Sequence, residues 1–177
     1  MGNRIDHFIS NYIVFDLETT GLSSYEHEII EIGAIRVLDN EVVATYSNLI
    51  KPKNHIPYYI TNINGISNQM VMNAPKIDCV LMEFLDFVGD TPLLGHNICS
   101  FDLKFINVAS EVVLGQKIKH DYVDTLLLAR KYLQNIRSHS LSNLCQYFGI
   151  DNAGAHRALA DCTMTNEVYQ ALKRLHK

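Results

Sequence analysis

Three segments rich in β-branched and aromatic residues follow one another early in the chain, and they commit it to a sheet before any long helix is reached. Residues 12–17 (YIVFDL) read as a strand, since such side chains suit a pleated, buried surface. Gly21 and the serines after it break that strand. Residues 28–38 (EIIEIGAIRVL) read as a second, Asp39 and Asn40 supply turn chemistry, and residues 41–50 return as a third. An antiparallel meander is expected. A loop over 51–57 and short helical pieces lead to about Asn73. Pro75 marks a helix start, and residues 76–88 carry Ile77, Val80, Leu81, Phe84, Leu85 and Val88 at three-and-four spacing. Residues 93–96 (LLGH) give a short buried strand, 101–114 a helix ended by Gly115, and 122–125 a last short strand. Helices follow over 126–135, over 141–148 ended by Gly149, and over about 157–175. Strands first, then strands alternating with helices, predict an α/β fold. The sheet would be mixed and five-stranded, a three-stranded meander plus two strands, flanked by helices.

The chain has 177 residues, of which 47% are hydrophobic and 19% charged. A single domain over 1–177, with its core over about 11–175, is the simplest organisation. The composition excludes a disordered tail, a collagen-like fibre and a disulfide miniprotein. The net charge of −4 argues against a broad, sequence-independent grip on duplex nucleic acid. It is compatible with a site that holds divalent cations, which needs carboxylates. Cys79, Cys99, Cys145 and Cys162 form no C-x-x-C pair, so zinc-ribbon and thioredoxin motifs are absent. No signal-peptide-like apolar run opens the sequence, and Asp6 stands where a myristoylation site wants Ser or Thr. A soluble, cytoplasmic protein without a membrane span is expected.

Three clusters carry candidate chemistry. Asp16 and Glu18 are two apart on a strand and point to one face. Two carboxylates there repel unless a cation or proton lies between them, so the choice is a solvated face or a metal site. Thr19, Thr20, Gly21 and Leu22 follow as a tight turn whose amides and hydroxyls suit a ligand hydroxyl or phosphate. Next come His96, Asn97 and, near a helix start, Phe101 and Asp102; alone, Asp102 reads as a carboxylate favoured by the helix dipole. The third cluster, His156 with Asp161, opens the last helix. Five residues apart, the two share no helical face, and they converge only if His156 stays in the loop.

Taken in order, Asp16-Leu17-Glu18-Thr19-Thr20-Gly21-Leu22, His96-Asn97 with Phe101-Asp102, and His156-Arg157-Ala158-Leu159 with Asp161 resemble the three motifs of the DEDDh 3′-to-5′ exonucleases. That family includes epsilon-type proofreading subunits of DNA polymerase III, the exonuclease region of the Gram-positive replicative polymerase, ribonuclease T and oligoribonuclease. The resemblance spans about residues 12–172. It implies a ribonuclease H-like fold with two divalent cations, Mg²⁺ or Mn²⁺. Asp16, Glu18 and Asp161 would hold the metal that activates water. Asp16, with Asp102 through water, would place the second on the leaving 3′ oxygen. His156 would be the general base. Thr19, Thr20, Gly21 and Leu22 would cradle the terminal nucleotide, Phe101 would pack near its base or sugar, and His96 and Asn97 would line the substrate groove. Two cations about 3.5–4 Å apart clamp both the attacking and the leaving oxygen of a phosphodiester. Histidine titrates near neutrality and suits proton transfer from water. The sequence departs from many relatives in having three residues, Ile98, Cys99 and Ser100, between Asn97 and Phe101, and in Cys162 after the last acid.

The implied function is hydrolysis of single-stranded DNA, or RNA, from the 3′ end with release of nucleoside 5′-monophosphates. The alternatives are a non-catalytic domain that binds nucleic-acid ends or a polymerase, and a hydrolase of short oligonucleotides. The chain stops soon after its last helix, so a stand-alone enzyme or an excised domain is expected rather than a dedicated polymerase subunit. Net acidity predicts contact with only a few terminal nucleotides. Glu31 orders the site or makes a local hydrogen bond; Asp124 is expected to cap a helix. Residues 63–66 (INGI) resemble the family segment that packs beside the terminal bases; read alone, they equally suit a helix end. Arg130, Lys131, Arg137 and His139 either touch phosphate or form a solvated helix face, the latter being expected; Tyr58 and Tyr59 either stack on a base or pack in the core, the latter being expected.

Overall fold

The computed structural model describes residues 2–176; Met1 and Lys177, the ends of the expected domain, lie outside the described residues. The strands are β1 (Arg4–Ile5), β2 (Tyr12–Thr19), β3 (Ile29–Leu38), β4 (Glu41–Leu49), β5 (Leu93–Gly95) and β6 (Tyr122–Asp124). The helices are α1 (Tyr58–Asn64), α2 (Asn68–Val71), α3 (Ile77–Val88), α4 (Asp102–Leu114), α5 (Thr125–Tyr132), α6 (Leu141–Phe148) and α7 (Ala158–Arg174). The strands form one mixed sheet in the order β1-β6-β5-β2-β3-β4. β2, β3 and β4 are the antiparallel meander, while β5 and β6 join β2 in parallel.

The sheet has six strands, one more than the sequence predicts. The extra strand is β1, two residues paired in parallel with Tyr122 and Val123 of β6. Two residues are too few to show a period, so tertiary pairing alone reveals it. Asn3 helps to hold it, its amide donating to Asp121 Oδ1 at 2.6 Å and its carbonyl accepting from Tyr122 at 3.0 Å.

Side-chain alternation on β2 sorts the core into two layers. Ile13, Phe15 and Leu17 pack with Phe84 of α3 and Leu103, Phe105 and Ile106 of α4. Tyr12 and Val14 pack on the other face with Leu128 of α5, Leu144 of α6 and Val168, Tyr169 and Leu172 of α7. A smaller cluster of Ile30, Ile56, Ile60, Ile66 and Val71 fixes α1 and α2 at one end of the sheet. Tyr58 and Tyr59 are 80% and 58% exposed, contrary to the expected core packing. The buried side of α1 carries Ile60 and Asn64, and the two tyrosines lie off it. Among the described residues no helix is long and apolar enough to cross a membrane.

Candidate active site

The α7 face of β2 changes character along its length. Tyr12 and Val14 are sealed in the core, and the next two residues on that face are Asp16 and Glu18, both partly buried. Opposite them on β3 stand Gly33 and Glu31, respectively. Gly33 lets α7 come close: a Cβ there would lie 2.5 Å from backbone atoms of Ala158 and Leu159. One turn further on, the Cys162 thiol donates to the Gly33 carbonyl at 3.2 Å. The small Cys162 side chain, a departure from many relatives, is therefore accommodated in the strand–helix contact.

This approach brings Asp161 to the strand carboxylates. Oxygens of Asp16, Glu18 and Asp161 all lie within 4.8 Å of one another. Asp102 is not one of that group. It is the first residue of α4, whose apolar residues pack on the other face of the sheet; it is 3% exposed, and its Oδ1 accepts from the Leu17 amide at 3.2 Å. Its charge nevertheless reaches Asp16. Burial, then Asp102, Asp161, Glu18 and Glu31, push the Asp16 carboxyl well above the usual range. Burial likewise raises Glu18 to about 7, against a hydrogen bond from Asn64, and Asp102 to about 8. Asp161 is raised by burial, with His156 acting the other way. Four carboxyl groups thus share a partly dry site with too little positive charge to offset them. Hard oxygen donors in this state suit Mg²⁺ or Mn²⁺, whose charge would replace the protons.

His156 lies outside α7, in the left-handed region at φ 66°, and its amide donates to Asp161 Oδ2 at 3.1 Å. The loop position is the condition under which the two residues were expected to meet. Strained non-glycine backbone of this kind concentrates at functional sites.

Two positions anchor the ligand-type residues. Glu31, 2% exposed, accepts from Arg157 Nε at 3.1 Å, Arg157 Nη2 at 2.7 Å and the Ala158 amide at 3.0 Å. It therefore pins the residues on which α7 begins. Asn64, the last residue of α1, donates from Nδ2 to Glu18 Oε2 at 3.1 Å and accepts from the Ile66 amide at 3.0 Å. The sequence offers residues 63–66 as a segment beside the terminal bases or as a helix end; Asn64 does end α1, and its hydrogen bond to Glu18 is not legible in the sequence.

The turn after β2 is tied to itself. Thr19 Oγ1 donates to the Gly21 carbonyl at 2.6 Å, and Thr20 Oγ1 accepts from the Glu28 amide at 2.9 Å. A Cβ on Gly21 would meet the His27 ring at 2.4 Å. Leu22 stands in solvent, 86% exposed, as does Tyr25, which the sequence reading did not single out. Both border a groove of about 230 Å³ that also touches Phe101, Lys104 and Phe105.

On the other side of the carboxylates, the loop after β5 is organised by Asp124. Its Oδ1 accepts from the amides of Asn97 at 3.1 Å and Leu126 at 3.0 Å, and its Oδ2 from Cys99 at 3.4 Å. The expected cap of α5 is present and also secures the loop with the extra residue. Asn97 takes a left-handed turn, φ 61°, which asparagine tolerates. His96 Nδ1 meets Thr125 Oγ1 at 2.9 Å, and burial lowers its pKa to about 4.

Residues 13–169 match the RNase T exonuclease family model. The chain belongs to that family. The family's assignment agrees with the resemblance carried by the three motifs. Among its relatives is a DNA polymerase III PolC-type protein of Clostridium perfringens, 39% identical over 163 residues, which are 92% of this chain and 11% of that protein. The DNA polymerase III epsilon subunit of Aquifex aeolicus is 38% identical over 89% of this chain and 78% of its own. In fold, the family member resembles E. coli exonuclease I, solved with single-stranded DNA, at TM-score 0.81 and 21% identity over 94% of this chain and 41% of that one. Exonuclease X in complex with 5′-overhanging duplex DNA gives 0.74 and 26% over 93% and 92%. The chain thus spans 11% of the PolC-type relative.

Proposed function

We propose that this chain is a single metal-dependent 3′-to-5′ exonuclease domain acting on single-stranded DNA ends and releasing nucleoside 5′-monophosphates. The meeting of Asp16, Glu18 and Asp161 carboxylate oxygens within 4.8 Å carries the reading. The DNA complexes of exonucleases I and X favour DNA over RNA as substrate. The polymerase names of its relatives support a DNA polymerase as partner, and a cytoplasmic location belongs to the same reading.

In this reading Asp16, Glu18 and Asp161 would hold one divalent cation, and Asp16 with Asp102 the other. When bound, such a pair supplies a nucleophile at neutral pH and offsets charge on the attacking and leaving oxygens. Asn64 orients Glu18, and the Glu31–Arg157 clamp sets where α7 delivers Asp161. The His156 imidazole takes the proton from the attacking water as the P–O3′ bond breaks. Leu22 and Phe101 receive the terminal nucleotide over the turn that Thr19, Thr20 and Gly21 shape. His96 and Asn97 line the path of the strand behind it.

The test is a 5′-labelled oligonucleotide with Mg²⁺ or Mn²⁺. A ladder shortening from the 3′ end is expected, and it disappears in chelator. Asp16→Asn and Asp161→Asn should abolish it while melting temperature holds or rises, since each relieves like-charge crowding. His156→Ala should lose about 10²–10⁴-fold. Full activity in either aspartate variant would overturn the assignment.

A further inference from the structure

The stretch with Arg130, Lys131, Arg137 and His139 does not behave as one solvated face. Lys131 turns away, its Nζ at 3.4 Å from the Asp6 carbonyl and over the Tyr132 ring. Arg130, Arg137 and His139 instead border one groove of about 530 Å³ with His96, Asn97 and Ser140, and no carboxylate lines it. Neither arginine makes an ion pair or hydrogen bond among the described residues. α6 begins at the groove, with Ser140 Oγ accepting from the Asn143 amide, so the positive end of a helix adds to the two guanidiniums. His96 stays neutral at physiological pH because it is buried; a hydrogen bond with the His139 backbone opposes that shift, and the Arg130 charge adds to it.

Position gives this groove a meaning. β2, β5 and β6 run parallel, so their C-terminal ends open on one edge of the sheet. Asp16 and Glu18 lie near the end of β2; His96 and Asn97 follow β5, and α5 with Arg130 follows β6. Adjacent strands are about 5 Å apart, which puts the groove about 5–10 Å along the edge from the carboxylates. A stacked strand advances about 3.4 Å per nucleotide, so the next one to three nucleotides cover that distance.

We propose that this groove is a phosphodiester subsite in which Arg130 and Arg137 bind a backbone phosphate upstream of the 3′ end held at the carboxylates. It rests on the nuclease reading above. An acidic chain thereby keeps its strand by a local contact rather than a basic surface.

The experiment compares the wild type with an Arg130→Gln/Arg137→Gln double variant, both arginines being exposed. Binding of a 5′-labelled phosphorothioate octathymidylate is followed by fluorescence anisotropy from 50 to 200 mM salt. Hydrolysis of the 4-nitrophenyl ester of thymidine 5′-monophosphate, too short to reach the groove, is followed alongside. The double variant should bind the octamer about tenfold more weakly and lose about 0.7 of salt slope per phosphate contact removed, with the ester rate unchanged. Arg130→Lys/Arg137→Lys should recover part of the affinity. Unchanged octamer affinity and slope would overturn the subsite, as would a fall in ester hydrolysis equal to the loss of binding. Arginine-dependent binding without ester hydrolysis by the wild type would support the subsite and count against the nuclease reading.

Discussion

Glu31 is a nearly sealed carboxylate directly across from Glu18 on the neighbouring strand, an arrangement of like charges that destabilises a strand pair. Arg157 and the Ala158 amide offset it, and in doing so they tie the site to the start of α7. Glutamine at this position would keep the shape but aim an amide N–H₂ at donors. Glu31→Gln should therefore lower stability by about 1–3 kcal/mol. It should also cut kcat more than KM, because Asp161 and His156 lose their register. Thermal melts and initial rates on one oligonucleotide check both; an unchanged kcat would make Glu31 a stability residue alone.

At the level of elements, the site is a meeting of β2, α4 and α7, each bringing carboxylate to a place where burial favours the neutral form. A carboxyl whose folded pKa lies above its unfolded value binds its proton more tightly in the folded chain. Stability is then lost as pH rises from the ordinary carboxylate range, about 4, through the folded value. For Glu18 and Asp102 those values are about 7 and about 8. In chelator the melting temperature should be lower at pH 8.5 than at 5.5. Added Mn²⁺ or Mg²⁺ should raise it more at 8.5, where no proton competes. An equal rise at both values would argue against a carboxylate cage. These elements were largely legible in the sequence. β2 and β3 announce themselves by β-branched runs, α3 by Pro75 and its apolar spacing, and α4 and α6 by their terminal glycines. The helix expected over 126–135 ends at Tyr132, because Leu133 leaves helical geometry at φ −118°, ψ 58°. The motifs named the four acids and His156. They did not pair Asn64 with Glu18 or separate Arg130 and Arg137 from Lys131, since those relations depend on which way an element faces after packing.

On the scale of the whole molecule, the sheet carries its chemistry near the middle and ends differently on its two sides. β1 covers the short β6, while β4 closes the series with nine residues and no further strand beyond it among the described residues. Val42 and Val43 on that strand are 50% and 53% exposed. Unpaired backbone groups beside exposed valines form a template for another chain. The consequence concerns handling and colloidal behaviour rather than catalysis. As the protein is concentrated or warmed toward its melting point, self-association should start at β4. Val43→Lys, which adds charge to the edge, should raise the concentration at which light scattering climbs and leave nuclease rates untouched.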